Sequence, residues 1–152
     1  IFILSKIYLK KNIKYRNIID VGCGSGVLGI TMAKLWRNKT ELIDLDKQSI
    51  KTSKYNAKLN YLNFLINVKK GNGLNKTNKF KYDIIVMNIL ANTIMENINL
   101  INKKLKKNGR VILSGILKRQ KFMILNKLRF MGLKIELEYV IQDWVTLLIK
   151  KY

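Results

Sequence analysis

A chain of 152 residues is long enough for one domain whose core needs no metal or disulfide to hold it. Its apolar fraction of 48% is that of an ordinary globular protein, and one cysteine, Cys23, excludes an internal disulfide and points to a reducing cytoplasm. No run of about 20 uncharged apolar residues exists to span a bilayer, and Ile1 to Lys6 are too short for a secretory signal core.

Thirty Lys and Arg against nine Asp and Glu leave a net charge of +21. A field of that size attracts nucleic acid. An AT-rich gene would produce the same excess, because Lys, Asn and Ile dominate while Pro and His are absent. The basic residues are spread over Lys10-Lys11, Lys69-Lys70, Lys103 to Lys107, Lys118-Arg119 and Lys150-Lys151. They do not make one stripe with interleaved aromatics, compositional bias weighs ahead of selected RNA binding, and charge alone assigns nothing. The chain does not begin with Met, so the sequence is expected to continue upstream.

Ile3 to Leu9 reads as a lead-in helix, and Asn17 to Val21 as the first strand. Val27 to Trp36 is apolar nearly all round, as in a buried helix. Glu41 to Asp44 is the second strand. A helix follows from Lys47 to about Asn60, with Ile50 and Ala57 facing inward. Phe64 to Val68 reads as the third strand, and Gly71 to Lys81 as a polar loop. Tyr82 to Met87 is a continuous apolar run, hence a central fourth strand. Ile94, Ile98, Ile101 and Leu105 recur at helical spacing, and Asn108-Gly109 is expected to stop that helix before a fifth strand, Arg110 to Ser114. Ile124, Leu125, Leu128 and Met131 line a last helix that Gly132 ends. Leu133 to Tyr139 and Trp144 to Ile149 close the chain. Alternation of strands and helices predicts an α/β domain with an open, mostly parallel sheet of seven strands. The last two, with no helix between them, should form an antiparallel hairpin.

Asp20-Val21-Gly22-Cys23-Gly24-Ser25-Gly26 joins a strand to a helix, the setting of a nucleotide-type loop. Its glycines allow a sharp turn and close approach to a ligand, and the helix N-terminus offers free N–H groups. The dinucleotide fingerprint places its third glycine three residues beyond the second, where Val27 stands here, which argues against a nicotinamide oxidoreductase. Asp44, at the end of the second strand, has the position of a carboxylate that accepts from both ribose hydroxyls of an adenosine. Asp46 reads as a helix cap. Asn72, in Gly71-Asn72-Gly73, either accepts from an adenine amino group or serves a simple turn. Asn88 ends the fourth strand on the edge that faces a ligand crevice, and Asn92 reads as a helix cap.

The segments Asp20 to Leu28, Asp44-Leu45-Asp46, Asn88-Ile89-Leu90-Ala91-Asn92, Leu113-Ser114-Gly115-Ile116-Leu117 and Asp143-Trp144-Val145 together resemble the methyltransferases of large-subunit ribosomal protein L11. The resemblance runs in order from about Asn17 to the end. Related glutamine methyltransferases carry Asn-Pro-Pro-Tyr at the fourth strand, and this chain has no proline.

The resemblance implies a Rossmann-like class I S-adenosylmethionine-dependent methyltransferase fold, with 1–152 as one catalytic domain. Ile1 to Tyr15 would form its lead-in helix and loop, and the family's N-terminal substrate-recognition domain would be absent. It implies transfer of methyl groups from S-adenosylmethionine to lysine side chains and α-amines of a ribosomal protein in the cytoplasm. Gly22, Gly24, Gly26, Asp44, Asn72 and Asn88 would hold the cofactor, with Asn88 also orienting the incoming amine, and no metal is implied. A family contact made by a Thr falls at or before Ile1. Two alternatives stay open: an RNA methyltransferase of the same fold, with ribosomal RNA drawn to the basic surface, and a truncated remnant without catalysis.

Overall fold

Hydrophobic patterning places the elements along a single α/β layer structure, and a computed structural model describes residues 2–8, 14–77 and 81–152 of it. In chain order these are α1 (Phe2–Tyr8), β1 (Ile18–Val21), α2 (Val27–Trp36), β2 (Thr40–Asp44), α3 (Lys47–Leu59), β3 (Ile66–Lys70), a 3-10 turn (Gly73–Lys76), β4 (Tyr82–Asn88), α4 (Ala91–Lys104), β5 (Leu105–Leu117), α5 (Lys118–Arg129), β6 (Leu133–Ile141) and β7 (Trp144–Lys151). Leu9, the Lys10-Lys11 pair and residues 78–80 of the polar loop lie outside the described residues.

The seven strands form one sheet in the order β3-β2-β1-β4-β5-β7-β6. The first five strands pair in parallel, while β7 runs antiparallel to both β5 and β6. The chain therefore starts in the middle, winds outward to β3 and returns to β4 beside β1, leaving a crevice above the β1–β4 seam where the winding reverses. Alternation along each central strand divides the core between two faces. Ile18, Ile84, Val86 and Ile112 pack under α1 and α2 with Ile3, Leu4 and Met32. Ile19, Val21, Ile85 and Met87 face α4 and α5 with Ile94, Ile98 and Ile124. No helix among the described residues is long and apolar enough to cross a membrane.

Several expected boundaries move, and three of the changes have a clear physical reason. The third strand is Ile66–Lys70, two residues later than Phe64 to Val68, because 62–65 form a turn closed by Leu65 N–H to the Leu62 carbonyl at 2.9 Å. Phe64 therefore projects into solvent. Leu105 falls one helical turn after Ile101, yet its backbone is extended and it pairs with Tyr82 at the start of β5. Asn108-Gly109 thus does not end the helix. It sits within β5, where Tyr82 pairs with Leu105 and Ile84 already pairs with Arg110, so Lys106 to Gly109 are looped out of the ladder.

One polar link braces the late strands. Arg110 on β5 donates through Nη2 to Glu136 Oε1 on β6 at 2.9 Å, reaching across β7, and through Nη1 to Tyr15 Oη at 3.2 Å. A planar guanidinium held at both ends fixes the spacing of strands that are not neighbours.

Candidate functional site

Loop geometry at the end of β1 follows from its glycines. Gly22, Gly24 and Gly26 all have positive φ, at 69°, 53° and 83°, and the loop is pinned by Gly22 N–H and Cys23 N–H donating to the Ile43 carbonyl at 2.8 and 3.1 Å. A Cβ on Gly22 would lie 2.3 Å from Ile89 Cγ2, whereas one on Gly24 would meet nothing within 4 Å. Gly22 is therefore required by packing, and Gly24 borders open space. Gly26 is the N-cap of α2 and contributes no side-chain cap, so the first N–H groups of that helix are left for other partners.

One of those partners is Asp20, a residue that motif reading treats only as part of the loop. It is 1% exposed, and its Oδ2 accepts the Gly29 N–H of α2 at 2.8 Å. Burial outweighs that hydrogen bond and, with the nearby Asp44 charge, pushes its pKa up to about 7. Asp20 ties the strand to the helix from inside. Cys23 is also buried, and burial with the charges of Asp20 and Asp44 pushes its thiol up to about 12, leaving it protonated and unreactive near neutral pH.

Asp44 closes β2 at the same height. Its Oδ2 accepts Gly24 N–H at 2.9 Å and its Oδ1 accepts Asp46 N–H at 2.9 Å. Asp46 caps α3, accepting Ser49 N–H at 2.7 Å, as expected. The Asp44 carbonyl accepts Gly71 N–H at 2.9 Å, which brings the turn after β3 to this edge. Asn72 follows, exposed, at the head of the 3-10 turn.

Asn88 is the last residue of β4, paired with Ser114 of β5. It has the same side-chain parity as Val86, toward the α1–α2 face. Two cavities meet at it. One, of about 210 Å³, is lined by Ile3, Leu4, Leu28, Val86, Ser114 and Thr146 among others. The second, of about 530 Å³ and more open, is formed by Asn88, Ile89, Leu90, Ser114, Gly115 and Trp144. The Ser114 and Thr146 hydroxyls lie 2.9 Å apart and satisfy each other. Asn92 does not cap α4: Leu90 occupies the N-cap, no side chain caps it, and Asn92 lies within the first turn, exposed.

Ile89 is a residue whose importance sequence reading missed. Its side chain meets the Gly22 position, and its carbonyl lies where a Cβ on Gly115 would fall, at 2.5 Å. Gly115 has φ 79°. The glycine of the Leu113-Ser114-Gly115 motif is thus a seat for the strand end after Asn88. The recurrence of glycine at two distant motifs is the signal, but only the fold shows that they grip one residue.

The structure brings Gly22 to Gly26, Asp44, Asn72 and Asn88 to one edge of a doubly wound sheet that ends in an antiparallel hairpin. This arrangement defines a class I S-adenosylmethionine-dependent methyltransferase fold. Residues 2–152 match the family model described as ribosomal protein L11 methyltransferase (PrmA), and the chain belongs to that family.

The ribosomal protein L11 methyltransferase of Oceanobacillus iheyensis is 37% identical over 134 residues, covering 88% of this chain and 42% of that relative. One from an Exiguobacterium species is 37% identical over 135 residues, covering 89% of this chain and 43% of its own length. The chain therefore spans less than half the length of these relatives. The crystal structure of a ribosomal protein L11 methylase from Lactobacillus delbrueckii subsp. bulgaricus superposes with a TM-score of 0.89 at 30% identity, covering 98% of this chain and 77% of that one.

Proposed function

We propose that this chain transfers methyl groups from S-adenosylmethionine to amino groups of ribosomal protein L11, both lysine side chains and the α-amine, in the cytoplasm. The observation that carries the reading is the convergence, on one sheet edge, of the Gly22–Gly26 loop and Asp44 with the open cavity beside Asn88.

The residues fit the cofactor. Each Asp44 oxygen holds one backbone N–H, which leaves lone pairs free for a ribose diol. The space over Gly24 is clear, so backbone and ligand can approach closely. Asn72 stands on the same edge, with a side-chain carbonyl suited to an adenine amino group. When bound, S-adenosylmethionine supplies an electrophilic methyl group on a sulfonium.

Asn88 accepts an N–H of the incoming amine through its side-chain carbonyl and orients the lone pair, which is a positioning role. Leu90, 74% exposed, and Trp144, 52% exposed, offer apolar wall to the aliphatic arm of a lysine. Among the described residues no carboxylate lines the open cavity, and the chain contains no His. The amine, with an ordinary pKa of about 10.4, therefore loses its proton to water and is kept neutral by the apolar wall.

Purified chain incubated with S-adenosylmethionine and free ribosomal protein L11 should add methyl groups to lysines and the α-amine, read by mass spectrometry. Methylation of ribosomal RNA instead would favour an RNA methyltransferase, a reading that the +21 charge supports. Absence of cofactor binding by calorimetry would identify a remnant. Ribosomal RNA is the second partner, reached through the basic surface.

A further inference from the structure

Three basic runs of the sequence each place one lysine in an ion pair, and Lys121 makes a fourth. Lys69 pairs with Glu41, Lys106 with Asp83, Lys118 with Asp143 and Lys121 with Glu138. Helix α3 differs. Lys47, Lys51, Lys54 and Lys58 follow each other at four, three and four residues, the spacing that stacks side chains on one side of a helix. All four are exposed, and no ion pair joins them to a carboxylate among the described residues. The opposite side, Ser53 and Ala57, is buried against the sheet. The single carboxylate between 46 and 65, Asp46, is turned onto Ser49 as the cap. At about 1.5 Å per residue the stripe is roughly 16 Å long.

Aromatic rings border it. Tyr55 lies next to the stripe on the helix, and Tyr61 and Phe64 stand just past its end, at 62%, 84% and 68% exposure. Tyr61 is the more telling. Leu62 N–H donates to the Ala57 carbonyl and Tyr61 N–H to the Lys58 carbonyl, a Schellman closure whose left-handed position normally belongs to glycine. Here a tyrosine holds it at φ 54°, and its ring packs on almost nothing. A disfavoured backbone that presents a ring to solvent points to use at the surface.

We infer that the outer face of α3, with Tyr61 and Phe64, binds a single-stranded segment of RNA, phosphates on the four lysines and bases stacked on the rings. The inference rests on the ribosomal RNA partner reading, not on the methyl-transfer chemistry. An acidic peptide would satisfy the lysines but leave the rings without partners, whereas unpaired bases engage both.

The test is fluorescence anisotropy of the full chain with a labelled single-stranded RNA of about 12 nucleotides, from about 50 to 200 mM salt. One variant carries Lys47→Gln, Lys51→Gln, Lys54→Gln and Lys58→Gln. A control removes the same charge at Lys34, Lys103, Lys107 and Lys127, which are exposed elsewhere. Circular dichroism checks that both remain folded. The α3 variant should lose about tenfold or more in affinity and flatten the salt slope by about 2 to 3, with the control much closer to wild type.

Equal loss in both variants would overturn the α3 face while leaving an RNA contact in place. No binding by the wild-type chain would overturn the RNA contact itself. Tyr61→Gly should raise the Tm while weakening RNA binding about threefold or more. Unchanged affinity there and in Tyr55→Ala with Phe64→Ala, or equal binding of a poly-glutamate peptide, would overturn the stacked-base assignment.

Discussion

The Asp44 carboxylate accepts the Gly24 N–H at 2.9 Å, so the end of β2 and the apex of the glycine loop are fixed to each other within the protein alone. The proposed ribose contact is therefore preorganised. Asp44→Asn keeps the size but loses charge and one acceptor. It should weaken S-adenosylmethionine binding by about 10- to 100-fold in isothermal titration calorimetry. A folded Asp44→Asn chain that binds the cofactor like wild type would remove Asp44 from the site.

Asn88→Ala removes the carbonyl proposed to orient the amine and leaves the apolar cavity. Turnover at saturating cofactor should fall about 100-fold, well beyond the loss of cofactor affinity that its second contact brings, measured by single-turnover methylation beside calorimetry. With no titratable group lining that cavity among the described residues, wild-type turnover should also climb with pH toward the lysine range instead of levelling near neutrality. A plateau near pH 7 would point to a base that this cavity does not contain.

Asp20 makes a prediction about stability. Its pKa is raised to about 7 in the folded chain from an ordinary 3.8. Between these values the native state holds the proton more tightly than the unfolded state. Its contribution is thus fully present below about pH 4 and is lost as pH rises toward 7. A carboxamide cannot ionise, so the Asp20→Asn variant should gain stability relative to wild type across that window, by on the order of a few kcal/mol. Denaturant melts at several pH values report it, and parallel pH curves for the two proteins would contradict it.

Glycine substitutions should separate packing from binding. Gly115→Ala drives a Cβ to 2.5 Å from the Ile89 carbonyl at φ 79°, and should cost about 2–4 kcal/mol in chemical denaturation. Gly24→Ala meets no atom within 4 Å and bears only the strain of the left-handed backbone, about 1 kcal/mol. It should nevertheless weaken cofactor binding, because the space it fills is the space a ligand needs. If Gly24→Ala proved the more destabilising of the two, the loop would be packed differently.

The sequence was legible where pattern and backbone agree. The seven strands, the final hairpin and the positions of Gly22 to Gly26, Asp44 and Asn88 on one edge follow from apolar runs and glycine spacing. It misled at Leu105, where a buried leucine one turn beyond Ile101 suits helix and strand equally, and pairing with Tyr82 decides. It misled at Asn92, because a polar residue near a helix start is not always its cap. It also obscured the α3 lysines, since a stripe with helical period is scattered along the chain and does not read as a run. Asp20 and Ile89 stand inside the motifs Asp20 to Leu28 and Asn88 to Asn92, yet pattern assigns them no role, because their roles are defined by what they touch.

Ile89 leans on Gly22 with its side chain and on Gly115 with its carbonyl. The proposed cofactor loop and the wall of the proposed amine cavity thus share one wedge. A displacement of the loop on loading should therefore reach the place where the second reactant arrives, and the reverse must hold by linkage. The two ligands should sense each other's presence in equilibrium binding, each altering the other's affinity by the same factor.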